Sequence, residues 1–142
     1  MPAQAKARQL ALAATVSLAA GLLFAAGDLT RRAVRLDPLV LDAVKGFSID
    51  SYSIETGVYY RWRIRGDGRE EYRLVAPAFF REIWVDRVAI EDMEVKPTGL
   101  YAVELGDAGE IDVWFVPIRP GTYEFYVEGL RTQGFRGVFV VK

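Results

Sequence analysis

Neither cysteine nor histidine occurs anywhere in the 142 residues of this chain, and the two absences remove a large part of protein chemistry. Without cysteine there is no disulfide, thiol nucleophile or thiolate ligand. Without histidine there is no imidazole general base and no imidazole ligand. The usual zinc sites, built from these two residue types, go with them. Catalysis would have to rest on Asp, Glu, Lys, Ser, Thr or Tyr, and no spacing recommends a set of them, so a non-catalytic protein is expected. Internal repeats and low-complexity tracts are also missing. The charge is nearly balanced, with 18 basic and 19 acidic residues and a formal net charge of −1, which offers no general attraction to nucleic acid.

What the chain does have is apolar and aromatic content, 51% and 13% of its residues, enough for a packed core. One uncharged run, Leu10 to Ala26, follows Lys6 and Arg8. At about 1.5 Å per residue it lies at the lower limit of what crosses a bilayer core of roughly 30 Å. It is also longer than a signal-peptide core of about 7–15 residues. Cleavage after Ala25 or Ala26 would put Leu23 or Phe24 where a small residue is preferred. An uncleaved signal anchor over residues 1–27, a single transmembrane helix, is therefore expected in preference to a removed signal peptide. Ala13, Ser17, Ala20 and Gly21 fall at helical three- and four-residue spacings and form a small-residue face for another membrane helix. Basic residues stand on both flanks, so the charge rule for membrane orientation leaves the topology open.

Residues 28–46 are expected to be a juxtamembrane connector, with Asp28 or Thr30 capping a short helix before Pro38. Its Arg31, Arg32 and Arg35 suit either lipid phosphates or a docking strip. From 47 to 142 the pattern is that of strands. Tyr60, Trp62 and Ile64 alternate with Arg61, Arg63 and Arg65. The Gly66–Gly68 turn and "REEYRLVA" then predict a hairpin with a basic outer stripe. A loop is expected over 91–99. "EIDVWFVPIRPGTYEFYVEG" gives two strands about a corner at Pro117 and Pro120–Gly121, with Tyr123, Phe125 and Val127 on one face. Short strands at intervals of about 8–12 residues, separated by Gly and Pro turns, predict an all-β, Greek-key β-sandwich. The acidic segment "EDMEVKPTG" lacks a calcium-loop pattern, and neither "GDG" nor "GDAG" opens a helix as a phosphate loop does. The Arg61, Arg63, Arg65 stripe is either a solvated face or a docking face for an acidic protein partner.

The segment Gly121 to Lys142, "GTYEFYVEGLRTQGFRGVFVVK", resembles the C-terminal end of the cupredoxins, the small blue-copper electron carriers. In that family a strand of the type "GTYxFYC" supplies the thiolate, a His follows three residues later and a Met five after that. Here those slots hold Val127, Leu130 and Phe135. "APAFFREI" is similar to an upstream family segment preceded by the first His, which puts Tyr72, or a residue one place away, in that slot. The likeness runs from about Val58 to Lys142. A blue-copper centre needs two imidazoles and a thiolate, so composition alone excludes one. No cofactor and no metal are expected.

Filling the slots with hydrocarbon implies a ligand pocket converted into core. Phe135, flanked by Arg131 and Arg136, has two roles open to it: an inward plug, or an interface anchor of the Phe and Arg type. The resemblance also implies export, which puts the sandwich on the periplasmic side of the cytoplasmic membrane. The function it implies is a copper-free, non-catalytic accessory subunit of a respiratory or photosynthetic membrane complex, touching other subunits and lipid. The alternative is a periplasmic assembly factor or chaperone for such a complex.

Overall fold

A computed structural model describes residues 27–142. The expected membrane helix, with Ala13, Ser17, Ala20 and Gly21, lies outside the described residues. The described strands are β1 (Val34–Arg35), β2 (Leu39–Asp42), β3 (Gly46–Phe47), β4 (Ser51–Ile54), β5 (Tyr60–Gly66) and β6 (Tyr72–Val75), then β7 (Ile83–Ile90), β8 (Met93–Val95), β9 (Ala102–Leu105), β10 (Gly109–Pro117), β11 (Gly121–Val127) and β12 (Arg136–Val141). A short helix α1 (Pro77–Arg81) precedes β7, and one 3-10 turn (Arg131–Gln133) precedes β12. They form a β-sandwich. The first sheet runs β3-β2-β5-β10-β7-β8 with β1 also on β5, and the second runs β4-β12-β11-β6-β9. Both sheets are mixed, because β1 and β2 lie parallel to β5 and β4 lies parallel to β12.

The core follows from the alternation. Trp62 and Ile64 of β5 are completely buried, as are Val113 and Phe115 of β10, while Phe125, Val127 and Phe139 do the same from the second sheet. Trp62 meets Phe125 and Phe139 edge-on, with centroids 5.6 and 5.0 Å apart. Phe79 of α1 stacks on Phe139 and closes one side. Gly137 is required by this packing: it pairs with Phe125 across the strands, and a Cβ there would sit 2.3 Å from Phe125 Cζ. The corner after β10 carries the chain from the first sheet to the second, and its Ile118 amide donates to the Glu82 carbonyl at 2.8 Å.

Four sequence expectations are corrected. The connector over 28–46 joins the sandwich from Val34 onward, since β1 and β2 pair with β5 and Leu39 and Leu41 are fully buried. Asp28 accepts the Thr30 amide at 3.0 Å in a local turn that starts no helix. Tyr52 reinforces the attachment by donating to the Asp37 carbonyl at 2.9 Å.

The hairpin predicted between β5 and β6 does not form, because the two strands lie in opposite sheets. Asp67 accepts the Ala43 and Arg69 amides at 2.8 and 3.0 Å, which holds the turn out of line with β5. β6 buries Leu74 and Val75 between β11 and β9 instead. The loop expected over 91–99 begins as a tight turn, with Glu91 at φ 52°, and β8 returns along β7 before the chain becomes irregular.

Because Leu41 is a core residue rather than part of a tether, Leu41→Ala should lower stability by about 2–5 kcal/mol in a urea melt. A flexible connector would lose almost nothing.

Candidate functional site

The end of the sandwich that holds Tyr72, Val127, Leu130 and Phe135 is assembled from β6, the end of β11 and the turn into β12. The Val127 amide donates to the Phe135 carbonyl at 3.1 Å, which fastens the two ends of the intervening turn. Inside it, Leu130 N donates to Val127 O at 3.1 Å and Gln133 N to Leu130 O at 2.9 Å. Gly134 then takes φ +86° to start β12, a conformation that favours glycine. Its carbonyl accepts the Phe47 amide at 3.0 Å. Gly46 presses so closely there that a Cβ would lie 2.6 Å from that oxygen.

Val127 and Tyr72 are fully buried, Phe135 is 2% exposed, and Leu130 is half-buried against the same cluster. The Tyr72 and Phe135 rings lie 5.4 Å apart, and Phe47 meets Phe135 edge-on at 5.5 Å. Of the two roles open to Phe135, the structure selects the inward plug.

The side chains in the four slots offer copper no free donor. Val127, Leu130 and Phe135 carry no polar side-chain atom, and the Tyr72 hydroxyl donates to Asp67 Oδ1 at 2.8 Å. Burial pushes the Tyr72 phenol well above its ordinary pKa, and the bond to Asp67 adds to the effect. The Asp67 carboxyl is held below the usual range by the Ala43 and Arg69 amides, against a smaller opposing effect of burial. Tyr72 therefore keeps its proton and Asp67 its charge. Among the described residues no group of three or more Asp or Glu is placed to hold a metal ion.

The candidate contact arginines fall into two separate groups. Arg61, Arg63 and Arg65 point outward from β5 as the alternation requires, but β10 carries acids at the matching register, Asp112 opposite Arg63 and Glu110 opposite Arg65. Arg63 binds Asp112 through Nε and Nη2 at 2.9 and 2.8 Å, and Arg61 binds it at 2.5 Å. Glu110 takes Arg63 Nη1 at 3.0 Å and Arg65 Nε at 2.9 Å. The expected basic stripe is a cross-strand charge ladder. Its signal was in the sequence, since Glu110, Asp112 and Trp114 share one parity in β10. On the second sheet Arg131 and Arg136 both bind Glu124, and Arg131 lies 4.7 Å over the Tyr126 ring.

Burial, to 7% exposure, pushes the Asp112 carboxyl up, but the hydrogen bonds from Arg63 and Arg61 outweigh it and its pKa falls below the ordinary value. A depressed folded-state pKa stabilises above the unfolded value of about 3.9 and is lost as pH falls through the folded value.

A groove that sequence reasoning did not find opens beside this ladder. Trp114 is held between Arg61 and Arg87, whose guanidinium carbons lie 5.0 and 4.4 Å from its ring centroid. Leu29, Arg31, Arg32, Ala33 and Arg35 of the incoming segment line the groove as well, around a volume of about 490 Å³. At its edge Tyr59 donates to Asp86 at 2.6 Å, and burial together with that bond pushes the phenol up to about 12. These residues come from five separate stretches of chain, so no local motif announces them.

No family model matches the chain, and no curated protein sequence matches it. Solved structures do. The copper-containing nitrite reductase of Thermus scotoductus aligns over 80% of this chain and 32% of its own, at 14% identity and a TM-score of 0.61. The multicopper oxidase of Campylobacter jejuni aligns over 79% of this chain and 31% of its own, at 10% identity and 0.56. Auracyanin from the photosynthetic bacterium Roseiflexus castenholzii aligns over 74% of this chain and 94% of its own, at 18% identity and 0.51. The chain thus spans about a third of the two enzymes and nearly all of the auracyanin.

Phe135→Ala should cost about 3–5 kcal/mol in a denaturant melt, through lost burial and a residual cavity. A loss below about 1 kcal/mol would return the ring to the surface. Asp112→Asn should cost about 1–3 kcal/mol at pH 7, between the values of exposed and buried ion pairs. It should also flatten the loss of stability that the unaltered protein shows below about pH 4, as read from melts across pH. The described residues form a cupredoxin fold in a chain that has no histidine or cysteine from which to build the blue copper centre.

Proposed function

We propose that the protein is a copper-free, membrane-anchored accessory subunit of a respiratory or photosynthetic electron-transfer complex. In this role Leu10–Ala26 spans the cytoplasmic membrane and the sandwich stands on its extracytoplasmic side. The protein works by contact with other subunits, without catalysis and without carrying an electron. The observation that carries the proposal is the sealed end of the sandwich. Tyr72, Val127 and Phe135 are buried where the resemblance puts copper ligands, so the scaffold is retained and stabilised without the chemistry.

The setting is drawn from the proteins of similar fold, which include a nitrite reductase, a multicopper oxidase and an auracyanin from a photosynthetic bacterium. An anchor would keep the sandwich in the plane of its partners and raise their effective concentration. The small-residue face of Ala13, Ser17, Ala20 and Gly21 is suited to close packing against a partner's membrane helix.

Purification through a tag at Lys142 in mild detergent should recover redox subunits in constant stoichiometry. Gly21→Leu should reduce that recovery several-fold while leaving membrane insertion unchanged. A soluble monomer beginning near Ala26, with no partner, would overturn the proposal in favour of an assembly factor.

A further inference from the structure

The groove beside Trp114 is predominantly cationic. Six cationic side chains line it against one carboxylate, Asp86. Several are already paired: Arg61 with Asp112, Arg87 and Lys96 with Asp86 and Glu94, and Arg31 with Asp28. Arg32 and Arg35 are exposed and meet no carboxylate among the described residues. They therefore supply the uncompensated charge of a groove that Trp114 also lines. Guanidinium forks match phosphate oxygens in pairs.

Position selects the source of that phosphate. Gly27, the residue after the uncharged run, packs against Val116, where an added Cβ would lie 3.1 Å from Cγ1. Around it Leu29, Trp84 and Ile118 are 45%, 44% and 52% exposed and line one shallow apolar depression. Leu29 belongs both to this apolar rim and to the basic groove, so the two adjoin where the chain leaves Leu10–Ala26. An exposed Trp with aliphatic neighbours, joined through Leu29 to a groove with two unpaired arginines, matches the chemistry of the layer between lipid headgroups and acyl chains.

We propose that this groove binds the phosphate of an anionic membrane phospholipid, with Arg32 and Arg35 as the phosphate contacts. The proposal rests on the membrane anchoring put forward above and not on membership of a complex.

The test uses the full chain in an uncharged detergent, with phosphatidylglycerol, phosphatidylcholine or inorganic phosphate added and the thermal midpoint followed. Phosphatidylglycerol should raise the midpoint saturably and phosphatidylcholine should not. Arg32→Gln with Arg35→Gln should weaken the apparent affinity about tenfold or more, the scale of losing charge-assisted hydrogen bonds. Arg69→Gln with Arg73→Gln, which removes the same charge elsewhere, should leave it unchanged. Unaltered affinity in the groove variant, or an equal loss in the control variant, would overturn the site. An equal response to phosphatidylcholine would overturn its selectivity for anionic lipid. Inorganic phosphate acting as well as the lipid would make it a soluble-anion site. Lipid binding that persists when no partner co-purifies would support the groove while removing the subunit role.

Discussion

A continuous run of ring contacts holds the molecule together, from Tyr72 to Phe135, to Phe47, to Phe125, to Phe139 and on to Phe79. Each such pair adds about 0.5–1.5 kcal/mol beyond the burial of its surface, and the run crosses both sheets and α1. Its first members, Tyr72 and Phe135, belong to the end closed by the turn between β11 and β12, so that end is continuous with the central core. The same run fixes the backbone around it: Gly137 must be small beneath Phe125, and Gly46 must approach Gly134 for Phe47 to reach Phe135.

The outer face of the first sheet obeys a different constraint. Asp112 is buried under Arg61 and Arg63, and a carboxylate removed from water is tolerated only where its partners are in place. Shifting β10 by one residue against β5 would turn Asp112 into the core and expose Val113, so apolar packing and the charge ladder specify the same register. The ladder also changes what the surface offers. Arginines that look like a basic stripe along β5 are neutralised in pairs, and the free positive charge lies instead on the segment before β2. There Arg32 and Arg35 line a groove that shares Leu29 with the apolar depression of Trp84 and Ile118.

Fold and chemistry separate cleanly in this protein. The sandwich aligns with nearly the whole length of an auracyanin and with about a third of two copper enzymes, yet the end closed by the β11–β12 turn holds Val127, Leu130, Phe135 and a hydrogen-bonded Tyr72. A scaffold constrains where a site can be and says little about what the site does. What remains distinctive is a sealed end and a basic, partly apolar rim near Gly27.

The sequence by itself determined the negative chemistry, because ligand types absent from the composition cannot be supplied by any fold. It also determined which faces are apolar: the alternation of Tyr60, Trp62 and Ile64 with three arginines, and of Phe125 and Val127 with Glu124 and Tyr126, reports burial directly, since a strand's side chains alternate. The corner at Pro117–Gly121 was legible for the same local reason. Only the tertiary structure decided that β5 pairs with β10 and not with β6, that Leu39 and Leu41 belong to the core, and that Phe135 turns inward. It alone brought Arg32, Arg61, Arg87 and Trp114 to one groove. Periodicity records what a residue faces but not which strand lies beside it. The Arg61–Asp112 contact joins positions 51 residues apart, and no local pattern encodes a pairing over that distance.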